Sequence, residues 1–100
     1  MILEELYKII ENRKKKIPKD SYVASLFKKG KDKIIQKVGE EAIEVVIATK
    51  NETKKRIISE VADLLFHILI MLSAFNIKPK DILRELQKRK IEMINKGKGR

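Results

Sequence analysis

The sequence predicts an all-α protein, a small bundle of four to five helices around an antiparallel central hairpin, and three observations carry that reading. Apolar residues recur at intervals of three and four rather than two. Strand-favouring residues are scarce, with aromatic side chains only 5% of the chain. Both prolines, Pro18 and Pro79, fall between periodic stretches rather than within them.

Residues from about Ile2 to Lys16 form a first amphipathic helix. The basic run Arg13 to Lys16 closes it, together with Pro18, which favours an extended residue before it. Asp20 or Ser21 caps a short helix running through about Lys28, and Gly30 ends it. A second long helix is expected from about Asp32 to Lys50 and a third from about Thr53 to Phe75, with Asn51, Glu52 and Thr53 as turn and cap. Those two form the antiparallel hairpin. Asn76 to Lys80 breaks the pattern, Pro79 suits a first helical turn, and a last helix continues to about Asn95. The tail 96–100 is expected to fray. No internal repeat or second domain is visible, so residues 1–100 read as one domain. A single domain of this size buries only part of its apolar surface, and completion as a homodimer is expected.

Composition narrows the chemistry. The chain has no cysteine, which excludes a disulfide scaffold, a zinc-thiolate site and thiol catalysis together. Lys and Arg number 24 against 14 Asp and Glu, a formal charge of +10 that favours polyanions without choosing among nucleic acid, acidic membranes and nucleotides. The N-terminal MILEELYKIIENRKKK carries acids and no small-residue cleavage site, so it does not read as a signal peptide and a cytoplasmic protein is expected. The stretch LLFHILIML is too short to cross a bilayer, and its N-terminal extension meets Asp63 and Glu60. No membrane-spanning helix is expected.

Two pairs of carboxylates then stand out at one spacing, Glu41 with Glu44 and Glu60 with Asp63. At about 100° per residue, each pair lies about 60° apart on one side of its helix. The first lies roughly nine residues before the turn and the second roughly ten after it, so antiparallel helices bring both to nearly one height. Glu41 borders an apolar arc centred on Ile35, Val38, Ala42, Val45 and Val46, whereas Glu40 lies about 100° further round. Glu41 is therefore the better ligand, and Glu40 is left to hold a second ion, order a water or act as a base. From Val61 to Leu72 the third helix is apolar on nearly every side, where an uncompensated acid destabilises the fold. Clustered carboxylates favour an oxygen-ligated hard cation, Mg²⁺ first and Mn²⁺ second.

A plainer reading competes: Glu40, Glu41 and Glu44 as a solvated helix face, with Lys37 and Glu41 an ion pair one turn apart. His67 follows Asp63 by one turn and fits either a supporting partner of that carboxylate or a core histidine. Tyr7 reads as core, and Tyr22 stays open. Arg13 to Lys16, Lys28, Lys29, Lys31, Lys33 and Lys37 can bind phosphate oxygens, and Gly30 allows close backbone approach. Lys37, one turn before Glu41, is the favoured one.

The pattern Glu40-Glu41-x-x-Glu44, fifteen residues, then Glu60-x-x-Asp63 resembles the signature of the MazG-like all-α nucleoside triphosphate pyrophosphohydrolases. Within that superfamily, LYKIIENRKKKIPKDSYVASLFKKGKDKIIQKVGEEAIEVVIA, then SEVADLLFHILIML, then a helix ending in LQKR resemble the phosphoribosyl-ATP pyrophosphohydrolase family. The resemblance implies Mg²⁺-dependent hydrolysis of phosphoribosyl-ATP between the α and β phosphates, the second step of histidine biosynthesis. Carried over residue by residue, it implies metal ligation by Glu41, Glu44, Glu60 and Asp63, with Glu40 an auxiliary acid or base. Ser21, Tyr22, Arg13, Lys29, Gly30, Lys33 and Lys37 would border the substrate. Two departures each remove a hydroxyl: Val23 where the family usually has Thr, and Phe66 where it usually has Tyr. The phosphoribosyl-AMP cyclohydrolase that acts next, often fused to this domain, would here be a separate chain.

Three other functions fit parts of the sequence. A MazG-like pyrophosphohydrolase acting on dUTP, dCTP or a damaged nucleotide shares the acids. A basic helical nucleic-acid-binding module would use the charge, but it leaves Glu60 and Asp63 unexplained and has few aromatics for base stacking. A non-catalytic helical dimer would use the acids as interhelix ion pairs.

Overall fold

The computed structural model describes residues 1–16, 19–51 and 53–96. Within them the chain forms five α-helices: α1 (Ile2–Lys16), α2 (Tyr22–Lys29), α3 (Lys31–Asn51), α4 (Lys54–Ala74) and α5 (Pro79–Lys96). The limits agree with the expected ones to about a residue. The proposed break at Pro18, the part of Glu52 in the turn and the tail beyond Lys96 lie outside the described residues.

Helices α2 and α4 are bounded by chemistry that satisfies their loose backbone groups. Ser21, rather than Asp20, caps α2, its Oγ accepting from the Ala24 N–H at 3.1 Å. Gly30 is the sole residue between α2 and α3. Its φ of 104° is a conformation that side-chain-bearing residues avoid, and its N–H returns to Leu26 O at 3.1 Å. Thr53 caps α4, accepting from the Arg56 N–H at 3.4 Å. At the other end of α4, Ile77 N–H reaches Leu72 O at 2.9 Å and Asn76 N–H reaches Ser73 O at 3.1 Å. Asn76 takes φ 58°, which completes a Schellman stop without glycine.

Helices α3 and α4 pack against each other along their lengths as the expected hairpin, while α1 and α2 close over one end. The core lies where the four meet: Ile10, Leu26, Ile34, Leu69, Ile70 and Leu72 are buried, with Tyr7, Phe27 and Phe66 packed around them. Tyr7 is thus a core residue with a polar end, its hydroxyl donating to Ile77 O at 2.8 Å. A polar clamp fastens α1 to the end of α4. Lys14 Nζ donates to Ser73 O at 2.7 Å and to Asn76 Oδ1 at 3.2 Å, and the fully buried Ser73 hydroxyl donates to Glu11. A cation there also suits the negative end of the α4 dipole. Helix α5 leans mainly on α1.

The apolar arc of α3 is turned relative to expectation. Its buried residues are Ile34, Glu41 and Ala48, so Glu41 sits on the buried line rather than at its border. Ile35 and Val46, expected at the centre, are 46% and 59% exposed. The cause is that α3 is apolar on two faces, and the hairpin consumes only one. Ile43, Val46 and Ile47 of α3 and Ile58, Val61 and Leu65 of α4 remain exposed. By length and composition the whole of α4, longer than the LLFHILIML stretch within it, could also cross a membrane. Here it packs against α3 and α1 and carries Glu60 and Asp63.

Candidate functional site

The two-residue connection between α3 and α4 fixes the height at which their side chains meet. Glu41 of α3 and Asp63 and His67 of α4 converge, each offering a ligand atom within 4.8 Å of the others. Glu41 is only 8% exposed, whereas the Asp63 side chain is open to solvent. Their proximity tells on Glu41. A hydrogen bond with Asp63, then burial, then the Asp63 charge push its pKa up, against the opposing pull of His67 and Lys37. Two carboxyls in such contact resist simultaneous ionisation, and a cation between them removes that resistance.

Lys37, one turn before Glu41, stands 3.5 Å from Glu41 Oε2 and 3.3 Å from Glu40 Oε1. Burial works against its ammonium, but Glu40, Tyr22 and Glu41 outweigh it and raise the pKa. Glu40 faces outward and accepts from Gln36 Nε2 at 2.7 Å. That bond first, then Lys37, holds the Glu40 pKa below the usual range. The adjacent acids are therefore differentiated: Glu40 is a fixed surface anion, and Glu41 is the buried member of a close pair.

Of the four expected ligands, the structure brings together Glu41 and Asp63. Glu60 is buried, but its carboxylate is drawn to Arg56 Nη2 at 2.6 Å. Glu44 is exposed, because a step of three residues carries it about 60° off the buried line. Each expected pair thus splits into one buried and one exposed acid. His67 joins the site through its spacing from Asp63. It is 4% exposed, with Nδ1 2.8 Å from the Asp63 carbonyl oxygen and 3.4 Å from Asp63 Oδ1. Phe66 meets its ring edge-on at 5.8 Å.

Tyr22, at the start of α2, reaches the same group, its hydroxyl 2.8 Å from His67 Nε2. Burial, then the neighbouring acids, raise its pKa, while Lys37 opposes them. Ser21 is buried, its hydroxyl engaged as the α2 cap. Lys33 is near enough to help lower the Glu40 pKa. Arg13 and Lys29 are exposed on α1 and α2, and Gly30 is the joint that follows Lys29. A cavity of about 560 Å³ lies elsewhere, between α1 and the start of α5, lined by residues such as Tyr7, Lys15 and Lys78, and none of the site acids borders it. The sequence reading missed two contacts. The Arg56–Glu60 pair was legible from its one-turn spacing, whereas the Tyr22–His67 bond spans 45 residues and leaves no local signal.

Residues 3–90 match the family model described as phosphoribosyl-ATP pyrophosphohydrolase. A phosphoribosyl-ATP pyrophosphatase of Clostridium acetobutylicum is 48% identical over 99 residues, covering 99% of this chain and 90% of the relative. One from Geobacter sulfurreducens is 51% identical over 88 residues, 88% of this chain and 82% of the relative. One from the archaeon Saccharolobus solfataricus is 47% identical, with 89% and 95% covered.

Proposed function

The chain belongs to the phosphoribosyl-ATP pyrophosphohydrolase family, and from that premise we propose that it hydrolyses phosphoribosyl-ATP between the α and β phosphates. The products are phosphoribosyl-AMP and pyrophosphate, and the step is the second of histidine biosynthesis. The observation that carries this reading, beside the family, is the convergence of Glu41, Asp63 and His67. Two carboxylates in contact form a donor set suited to a divalent cation, and their hard oxygens favour Mg²⁺, with Mn²⁺ as the alternative.

Glu41 and Asp63 would hold the cation, and on the family pattern Glu44 and Glu60 would join them, Glu60 by leaving Arg56. When bound, such an ion supplies charge neutralisation on phosphate oxygens and lowers the pKa of a water. The chain's own residues do the rest. Glu40, kept ionised by Gln36 and Lys37, lies at the rim of the site where it can orient the attacking water in line with the scissile anhydride. Lys37 has the ammonium nearest the acids and is suited to a phosphate oxygen of the substrate. Lys33, Lys29 and Arg13 add the positive field, and Gly30 leaves room for the substrate to approach the backbone. The +10 charge thus serves a substrate that carries a triphosphate and a further phosphate, without recourse to nucleic acid.

The same reading includes a homodimer formed by the whole chain as one domain, working in the cytoplasm and followed by a separate phosphoribosyl-AMP cyclohydrolase. Physical support comes from the shape. The radius of gyration is 15.7 Å, against about 13 Å for a compact domain of this length. The accessible surface is 7563 Å², where about 5,800 Å² is expected of a monomer of this mass. The excess accompanies the uncovered apolar face of the hairpin, which a second copy would bury. Product identification after incubation with phosphoribosyl-ATP and Mg²⁺ tests the reaction: pyrophosphate and phosphoribosyl-AMP are expected. Rapid turnover of a simple deoxynucleoside triphosphate with none of phosphoribosyl-ATP would overturn it.

A further inference from the structure

His67 has both ring nitrogens engaged. Nδ1 faces two acceptors and no donor, the Asp63 carbonyl at 2.8 Å and the Asp63 carboxylate at 3.4 Å, so Nδ1 is the nitrogen that carries the proton. In a neutral ring Nε2 is then an acceptor, and the Tyr22 hydroxyl at 2.8 Å donates to it. The ring cannot swing away easily. It is 4% exposed and held edge-on by Tyr22 at 5.7 Å and by Phe66 at 5.8 Å. The Asp63 oxygens keep the proton on Nδ1, so removing the Tyr22 hydroxyl would leave the buried Nε2 without its donor and the ring without one of its polar anchors. The ring would then be held less firmly, and its Nδ1–H would lose its fixed place beside the Asp63 carbonyl and carboxylate.

We propose that Tyr22 is a positioning residue of the active site, acting through His67: its hydroxyl anchors the ring through Nε2, and the ring so held keeps Asp63 in place for the cation it shares with Glu41. On the cation this rests on the function proposed above. His67 is then a support for Asp63 rather than a ligand, and Tyr22 couples α2 to the acids without touching the substrate.

The chain contains one histidine, so ¹⁵N shifts of its ring are unambiguous and read the tautomer without substrate. Wild type is expected as the Nδ1–H form with the Nε2 shift of a hydrogen-bond acceptor, and Tyr22→Phe as the same tautomer with the Nε2 shift moved towards that of a free lone pair. In the same samples, Mn²⁺ affinity measured by paramagnetic resonance should fall about tenfold in Tyr22→Phe, with kcat on phosphoribosyl-ATP falling about tenfold and KM held within about twofold. Combined with His67→Asn, Tyr22→Phe should add nothing further, since its only route is through His67. An Nε2–H ring in wild type overturns the proposal. So does a raised KM with unchanged Mn²⁺ affinity, which would place Tyr22 on the substrate, and so does a double variant whose losses multiply. Tautomer and Mn²⁺ affinity are independent of the substrate, so a wild-type protein inactive on phosphoribosyl-ATP would overturn the reaction while leaving these two readouts to judge Tyr22.

Discussion

Asp63→Asn should move stability and metal affinity in opposite directions. Asparagine keeps the shape of Asp63 and an acceptor for His67, but removes the charge that faces Glu41. Two unit charges 4.8 Å apart, the outer limit of the cluster, repel by about 3.5 kcal/mol at an effective dielectric of about 20. Asp63 is 47% exposed in its side chain, and Lys37 stands 3.5 Å from Glu41, so solvent and the ammonium together leave about 1 kcal/mol of net repulsion. Without metal, the variant should therefore be more stable at neutral pH, with Tm higher by about 4–8 °C for a chain of this length. The pH dependence has a matching sign. Because the Glu41 pKa is raised in the fold, the stability it contributes is complete below its ordinary value of 4.5 and lost as pH climbs through the raised one. Asp63→Asn should flatten that decline. Calorimetry in EDTA across pH measures both effects, and Mn²⁺ titration should show affinity at least tenfold weaker, with pyrophosphate release abolished. A Tm that falls in EDTA would refute the repulsion, and unchanged Mn²⁺ affinity would refute the site.

Lys14→Met should lower Tm by about 8–16 °C, reflecting about 2 kcal/mol for charge-assisted bonds to Ser73 O and Asn76; circular-dichroism melting measures it, and a shift below about 2 °C would mean that the clamp is dispensable. Glu11 belongs to the same clamp. Burial pushes its pKa up, but the Ser73 hydroxyl and Lys14 outweigh this and hold it low. Its contribution is thus present above its ordinary value of 4.5 and lost as pH falls through the lowered one, a loss that Glu11→Gln should lack. Val46→Glu, on the exposed face of α3, should yield monomers in sedimentation while preserving helix content; an unchanged dimer would place the interface elsewhere.

The helices were legible because their signals are local. Periodicity, Ser21, Thr53, Gly30 and Pro79 mark limits that need no knowledge of the rest of the chain. The site was legible in part for the same reason. Its members sit at one-turn spacings, Lys37 to Glu41 and Asp63 to His67, on two helices joined by a short turn. What escaped depends on the third dimension. Which apolar face of α3 turns inward is decided by α1, α2 and α4 together, so Ile35 and Val46 were assigned to the wrong side and Glu41 was placed too far out. Glu44 and Glu60 share the spacing of their partners, yet a rotation of about 60° and a neighbouring arginine separate them from the convergent group. Tyr22 reaches His67 only after α2 has folded back over α4, and the cap at Ser21 sets where it starts.

The joint at Gly30 gives this arrangement a mechanical character. One residue spans at most about 3.6 Å, so α2 and α3 have almost no slack between them and behave as two arms of a bent lever. Tyr22 grips His67 near the start of one arm, while Lys33, Lys37 and Glu41 ride on the other. A substrate held by the lysines of α3 would therefore also load the contact between Tyr22 and His67. Lengthening the joint by a single residue would slacken that link between the arms.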